Sequence, residues 1–274
     1  MQATNVTAPD GLSLAVQEWG NPRGLEILLI HGFNQSHLSW QRQVDDPALA
    51  GDFRMVALDL RGHGSSDKPL EKDRYAHARW GDDLAAVMRA CSLRRPVLVG
   101  WSFGGNVICD YVRSFGTENI AGINFVAAAA KTDPAFFGPG RENFPAMQSE
   151  DLADNIGGTR GFLRACFERQ PTEDEFEIML AFNMVVPGSV RAAIMARPSN
   201  TGDVLAGIRR PVLVTHGAAD RILLATLGKF TAATVPGAKL SLYDGVGHAP
   251  FWEDTPRFNQ ELAAFVRSAN SSKQ

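Results

Sequence analysis

Short apolar runs alternate with amphipathic stretches along most of the chain. The run Leu25–Ile30 ends abruptly at His31 and Gly32, as a buried strand does where it leaves a sheet. In residues 75–91 apolar side chains recur every three or four positions, which gives a helix one apolar stripe. Buried strands that alternate with such helices predict an α/β fold, in which helices flank a mostly parallel sheet. The predicted strands are Ser13–Trp19, Leu25–Ile30, Phe53–Leu58, Pro96–Gly100, Ile123–Ala127, Pro211–Thr215 and Lys239–Tyr243, and the predicted helices are Tyr75–Cys91, Gly104–Phe115, Ala225–Val235 and Thr255–Ala269.

The alternation is interrupted over residues 131–205, where no strand pattern is found and prolines separate helical stretches. An all-helical insertion between two strands of a parallel sheet is typical of a lid, although ordinary crossover helices would give a similar pattern. We therefore predict a core of residues 1–130 and 206–274 that carries a helical cap of residues 131–205. The helical stretches within the cap are Thr159–Arg169, Thr172–Met184 and Pro187–Ala196.

Composition and charge exclude several classes of protein. Hydrophobic residues make up 45% of the 274 residues and charged residues 21%, which is ordinary for a globular chain and excludes wholesale disorder. The formal net charge of −3 provides no basic surplus for a phosphate backbone, so no nucleic-acid partner is expected. The polar tail Ser268–Gln274 is expected to fray.

Cysteine usage and the N-terminal residues bear on the compartment. The three cysteines are sparse and widely spaced, which fits neither a disulfide framework nor a zinc site. The first residues lack the charged and apolar regions of a signal peptide, and the longest apolar stretches are far shorter than the roughly 20 residues of a membrane span. We expect a cytoplasmic protein without a membrane partner, metal or cofactor, and the choice between monomer and homodimer stays open.

The segment Gly100–Gly105 (Gly-Trp-Ser-Phe-Gly-Gly) stands between a predicted strand and a predicted helix. A Gly-x-Ser-x-Gly turn reverses a strand into a helix so tightly that the serine hydroxyl stands clear of the backbone. The motif is weak by itself, but it falls at the strand–turn–helix junction that this chemistry requires. Ser102 is therefore the candidate nucleophile.

A serine nucleophile needs a base, and the base needs an acid that orients it. Of the six histidines, His248 lies in a loop just past the last predicted strand, where it can reach a serine at the same sheet edge. Asp220 follows the preceding strand, and the order Ser102, Asp220, His248 is that of α/β-hydrolases. Asp244 is the second choice for the acid. His31, His63 and His216 are expected to bond loop backbone, and His37 and His77 have no assigned role.

A tetrahedral intermediate also needs two hydrogen-bond donors for its oxyanion. One is the N–H of the residue after the nucleophile, which is Phe103. The other is expected from the loop after an early strand, where we assign it to the N–H of Phe33. On its own, the glycine after His31 would indicate no more than a strand-ending turn.

These motifs together resemble the α/β-hydrolase superfamily, and especially its branch of serine esterases and cofactor-free haloperoxidases, or perhydrolases. The resemblance covers nearly the whole chain and includes a cap at the position of the helical insertion. It is carried by His31–Phe33, Asp59–Ser66, Gly100–Gly105, His216–Asp220 and Gly247–His248.

The expected activity is cleavage of small to medium apolar carboxylic esters through an acyl-enzyme, with a small-molecule ester as the partner. Alternatives with the same triad are a perhydrolase, a C–C hydrolase, a lactonase or a hydroxynitrile lyase; a ligand-binding receptor on this fold is a further one. Perhydrolysing relatives carry proline where this chain has Asn34, so hydrolysis is expected to dominate and Asn34→Pro to raise peracid formation. The candidate pocket residues are Asn34, Trp101, Phe136, Phe137, Phe144, Phe182 and Met184.

Overall fold

A computed structural model describes residues 1–128, 131, 133–197 and 201–271. Its centre is an eight-stranded sheet in the order β1-β2-β4-β3-β5-β6-β7-β8. The β1–β2 and β2–β4 pairs are antiparallel, and all the other pairs are parallel. The α/β prediction is thereby confirmed. The strands are β1 (Gln2–Thr7), β2 (Ser13–Gly20), β3 (Leu25–Ile30), β4 (Phe53–Leu58), β5 (Val97–Trp101), β6 (Gly122–Val126), β7 (Val212–Gly217) and β8 (Lys239–Tyr243).

The burial of the strands explains which of them the sequence predicts. Every residue of β5, β6 and β7 is buried, and these strands read as continuous apolar runs, as parallel strands covered on both faces do. Strand β1 was not predicted, because it is a largely exposed edge strand in which Val6 alone is buried. A polar edge strand lacks the alternation that a half-buried strand shows.

Helices flank the sheet, and one of them corrects an expectation. The last helix presents Phe258, Leu262, Val266 and Ala269 as a buried stripe and continues to Ser271. The expected fraying of residues 268–271 is therefore wrong, whereas residues 272–274 lie outside the described residues. The helices are α1 (Gln41–Val44), α2 (Pro47–Asp52), α3 (His77–Ala90), α4 (Phe103–Phe115), α5 (Leu152–Cys166), α6 (Glu173–Met184), α7 (Gly188–Met195), α8 (Gly202–Gly207), α9 (Ala225–Thr234), α10 (Pro250–Glu253) and α11 (Thr255–Ser271).

The chain between β6 and β7 folds as helices α5 to α8 with several short 3-10 turns. Within it, Phe137 forms an isolated β-bridge with Leu223. The exact division into core and cap stays a prediction. No single described helix is long and apolar enough to cross a membrane; α6 and α7 reach that length and composition together, with an 80° bend between them.

A buried arginine joins the parts of this helical insertion. Arg191 on α7 donates to the carbonyl oxygen of Met147 at 2.7 Å and to that of Asn183 at 2.8 Å. It also donates to Thr159 Oγ1 on α5 at 3.1 Å. These acceptors are neutral, and burial lowers the pKa of Arg191 to about 10. The insertion is thus held together around one guanidinium.

Candidate active site

Ser102 stands in a strained turn between β5 and α4. Its φ of 52° and ψ of −118° are unusual for a residue with a side chain. The turn is held because Ser102 N–H donates to the Val126 carbonyl oxygen at 2.9 Å and Gly105 N–H donates to the Ser102 carbonyl oxygen at 2.9 Å. Strain of this kind persists only where the surroundings impose it, and it is common at functional sites.

Two glycines allow the loop after β3 to lie against this turn. A Cβ on Gly104 would lie 2.5 Å from the carbonyl oxygen of Ile30, and one on Gly32 would lie 3.1 Å from Ser102 Cβ. Side chains at these positions would push the end of β3 away from the serine. Gly104, the motif glycine that follows Phe103, is therefore required by the close packing of β3 against this turn.

The loop after β8 brings His248 to Asp220. His248 Nδ1 lies 2.7 Å from Asp220 Oδ2, and the other carboxylate oxygen accepts the N–H groups of Ile222 and Leu223 at 2.8 and 3.0 Å. Burial alone raises the pKa of Asp220, but attraction to His248 and hydrogen bonds from His216 and His248 hold it well below its usual range. Asp220 is therefore ionised, and it is the carboxylate that contacts His248.

The backbone of His248 is fixed as well. Its carbonyl oxygen accepts Trp101 Nε1–H at 2.8 Å, and its N–H donates to the Cys166 carbonyl oxygen at 2.8 Å. With Nδ1–H donated to Asp220, Nε2 is the accepting nitrogen, and it is buried without a hydrogen-bond partner among the described residues. No hydrogen bond joins it to Ser102 here, and such contacts often tighten only once substrate is bound.

Two buried histidines hold the loop that follows β3. The N–H of Asn34 donates to His63 Nε2 at 3.1 Å, and the N–H of Leu60 donates to His31 Nε2 at 2.9 Å. The opposite ring nitrogens donate to backbone carbonyl oxygens at 2.9 and 2.8 Å, so both rings are fixed as neutral tautomers. The bonded N–H groups of this loop are those of Asn34 and Gln35. The N–H of Phe33 has no hydrogen-bond partner among the described residues, so it is available to a ligand.

The two buried histidines should make the folded protein less stable at acid pH. Burial lowers the pKa of His31 to about 4 and that of His63 to about 3, whereas both titrate near 6.5 in an unfolded chain. Below about pH 6.5 the unfolded state binds up to two protons that the folded state does not bind. The free energy of unfolding should therefore fall by about 4 kcal/mol between pH 7 and 5. Urea unfolding at several pH values measures this loss. His63→Gln should roughly halve the change in the free energy of unfolding with pH. An unchanged pH dependence would show that the buried histidines do not cause it.

Ser102 opens into a cavity of about 90 Å³ between the sheet edge and the insertion. Of the predicted residues, Phe33, Phe103, Phe137 and Phe144 line it. Its walls include three cations that the sequence analysis missed, because long basic side chains outside a motif are usually on the solvated surface. The residues not predicted are Asn106, Lys131, Arg141, Phe162, Ile194, Met195, Arg197, Ile222 and Leu223.

The other predicted pocket residues lie elsewhere. Trp101 and Phe182 line a separate, more apolar cavity of about 400 Å³. Phe136 packs on Phe230 with 5.4 Å between the ring centroids, and Met184 Sδ lies 4.0 Å from an Arg191 nitrogen. Neither of these two side chains lines the Ser102 cavity, because both point into the packing of the insertion and its neighbours.

A model of the alpha/beta hydrolase family matches residues 27–261. The chain belongs to the alpha/beta hydrolase family. The resemblance inferred from its motifs is thereby confirmed.

Among solved structures, this alpha/beta hydrolase is similar to a Burkholderia cenocepacia protein provisionally described as an aryl esterase. The two are 39% identical with a TM-score of 0.95, over 99% of this chain and 100% of that one. The esterase RhEst1 from Rhodococcus sp. ECU1013 is 33% identical with a TM-score of 0.92, over 98% and 100%. The bifunctional esterase/perhydrolase DCH of Acinetobacter calcoaceticus is 27% identical over 96% and 99%. These relatives support hydrolase activity.

In the structure of this alpha/beta hydrolase, Asn34 holds the loop after β3 and does not line the Ser102 cavity. Asn34 is buried outside the Ser102 cavity, and its side-chain amide donates to Asn183 Oδ1 on α6 at 2.8 Å. Its φ of 65° is closed to proline, whose ring holds φ near −65° and which has no N–H for His63. The expectation that Asn34→Pro would raise peracid formation is therefore poorly founded, because the substitution would distort the loop that carries Phe33.

Proposed function

We propose that the protein is a serine hydrolase that cleaves carboxylic esters through an acyl-enzyme. The observation that carries the proposal is the buried His248–Asp220 hydrogen bond, which leaves His248 Nε2 as a free acceptor. That histidine packs on Trp101, the residue before the strained Ser102, with 5.7 Å between the ring centroids. A base with a free acceptor nitrogen and a serine that faces a cavity are what nucleophilic acyl transfer requires.

In the proposed reaction Ser102 Oγ attacks the ester carbonyl while His248 Nε2 takes its proton. The imidazolium that forms is stabilised by the ionised Asp220, and its proton then passes to the departing alkoxide. Water, deprotonated by the same histidine, attacks the acyl-enzyme, and the proton passes from His248 to Ser102 Oγ as the acid leaves. Each step moves one proton through Nε2, so no other titrating side chain is needed.

The N–H groups of Phe33 and Phe103 are proposed to bind the oxyanion. Phe103 is the first residue of α4, where a backbone N–H has no acceptor within its own helix and is favourable for an anion. Phe33 stands between Gly32 and Asn34 in the chain, and the bonds of these two residues to His31 and His63 hold it in place. Both residues border the cavity that contains Ser102.

The small cavity favours short acyl groups. A volume of about 90 Å³ has room for several water molecules but not for a long chain. Aromatic rings make up much of its wall, which fits the expected preference for small, compact groups. An apolar pocket discriminates by only about 1–3 kcal/mol per methylene, so activity should decline with chain length rather than stop.

Perhydrolysis is a second candidate, favoured by the similarity to an enzyme named as both esterase and perhydrolase. The same acyl-enzyme would then react with hydrogen peroxide in place of water. Peroxide at millimolar concentration competes against roughly 55 M water, so it needs a dedicated positioning group. Bromination of monochlorodimedone, measured beside ester hydrolysis, distinguishes the two activities.

We expect an organophosphonate to inactivate the protein by forming one adduct per chain on the peptide that contains Ser102. Mass spectrometry locates the adduct, and p-nitrophenyl esters from acetate to octanoate report residual activity. The Ser102→Ala variant serves as the control and should remain unlabelled. Stoichiometric labelling of another residue, or none, would exclude the proposed nucleophile.

A further inference from the structure

The cavity beside Ser102 contains a guanidinium without a counter-ion. Arg141 lies over the rings of Phe137 and Phe144, with its Cζ 3.6 and 4.7 Å from their centroids. Its guanidinium makes no ion pair or hydrogen bond with the described residues. Burial lowers the pKa of Arg141 to about 10, which still leaves it protonated at neutral pH. A cation so placed keeps unused donors and a positive charge at the cavity wall.

A second arginine lines the same cavity. The Arg197 side chain is 7% exposed, and its Nη2 pairs with Asp110 and His77. Its Nε and Nη1 are buried and have no hydrogen-bond partner among the described residues. Leaving two buried guanidinium donors unpaired is costly, so a small shift of the Arg197 side chain that lets them meet an acceptor in the cavity would be favoured.

Both arginines lie close to the proposed reaction centre. Arg197 Cζ is 5.4 Å from the ring of Phe103, the residue after Ser102. Phe144, on which Arg141 rests, has its ring centroid 5.6 Å from that of Phe33. Each arginine is thus within one or two side chains of a residue proposed to bind the oxyanion. The third cation of the wall, Lys131, already pairs with Asp133 at 3.2 Å.

We propose that Arg141 and Arg197 bind a carboxylate of the substrate, so that the preferred ester carries a free carboxylate within a few bonds of the carbonyl attacked by Ser102. This inference rests on the proposed ester hydrolysis and changes its substrate class from apolar to anionic esters. Guanidinium groups match the planar geometry and charge of a carboxylate, and the aromatic rings beneath Arg141 hold its fork in place.

The kinetic test uses two pairs of esters in which an isopropyl group replaces the carboxylate. Monomethyl succinate is compared with methyl 4-methylpentanoate, and O-acetylglycolate with isobutyl acetate, by acid release at neutral pH. In at least one pair kcat/KM should favour the carboxylate ester by about tenfold or more. The pair that shows the preference tells whether the acyl or the alcohol part bears the carboxylate.

Two substitutions separate binding by Arg141 from a general effect of charge. Arg141→Met should lower the ratio of kcat/KM within the preferred pair by about tenfold to a hundredfold, the loss typical of a charged hydrogen bond. Arg164→Met is the matched control, because Arg164 also lies over a ring, that of Phe176 at 3.8 Å, but outside this cavity. It should leave the ratio unchanged. A preference for the neutral ester in both pairs, or an Arg141→Met ratio equal to the wild-type ratio, would overturn the proposal.

Calorimetric titration of the Ser102→Ala variant with the same four esters separates this proposal from the esterase assignment. The carboxylate ester should bind more tightly than its neutral counterpart, and adding Arg141→Met should weaken its binding by about tenfold or more. If no ester is hydrolysed but this difference is seen, the carboxylate site stands without the proposed function. If esters are hydrolysed and no carboxylate ester binds more tightly, only the carboxylate site fails.

Discussion

Replacing Ser102 by alanine is expected to lower kcat for p-nitrophenyl esters by about four to six orders of magnitude. The variant has no nucleophile, so the remaining rate comes from the oxyanion donors and from substrate binding alone. Burst and steady-state release of p-nitrophenol measure the loss. Ser65→Ala is the control, because Ser65 is exposed and only its backbone N–H is bonded to Asp59; its activity should match the wild type.

The same experiment tests whether the serine and the histidine act as one unit. Ser102→Ala and His248→Ala combined should cost little more than either one alone, because each already abolishes the same step. Losses that multiply would mean that the two side chains work independently, and a mild Ser102→Ala effect would exclude the acyl-enzyme.

Replacing Asp220 by asparagine is expected to lower kcat by about four orders of magnitude. Asparagine keeps an oxygen for the N–H groups of Ile222 and Leu223, which hold the loop. It removes the charge that stabilises the imidazolium, and its amide can hold His248 in the wrong tautomer. Turnover and urea unfolding, measured together, separate the catalytic loss from a loss of stability.

Asp244→Ala is the comparison that decides the acid. Asp244 is exposed near the end of β8, whereas Asp220 is buried and contacts His248. Its replacement should change kcat by less than about twofold, as surface substitutions rarely disturb a buried site. A crippling Asp244→Ala beside a mild Asp220→Asn would show that the acid has been assigned to the wrong residue.

Local pattern was enough to predict the central strands, the main helices and the serine turn. Strands such as β3 and β5 are buried on both faces, and their continuous apolar runs indicate this burial directly. The turn at Ser102 is also visible in the sequence, because a backbone that passes as close as Gly104 passes Ile30 requires glycine. Parallel strands end at a common edge, so chain order alone could also suggest that His248 and Asp220 meet there.

Other features depended on contacts between distant segments. Strand β1 has one buried residue, and its pairing with β2 rather than its own pattern makes it a strand. The position of Asn34 follows from its bond to Asn183, 149 residues later. The two sides of the Ser102 cavity come from different segments, so aromatic content alone could not tell Phe144, which lines it, from Phe136, which does not.

The sequence by itself therefore determined the fold class and the candidate nucleophile, base and acid, because these depend on burial pattern and on order along the sheet. Only the tertiary structure decided the character of the pocket. It placed Arg141 on Phe137 and Phe144, and it brought Arg197 beside Phe103. An arginine in a loop looks the same in sequence whether it faces solvent or a cavity, because its long stem allows either and the packing of the surrounding chain selects one.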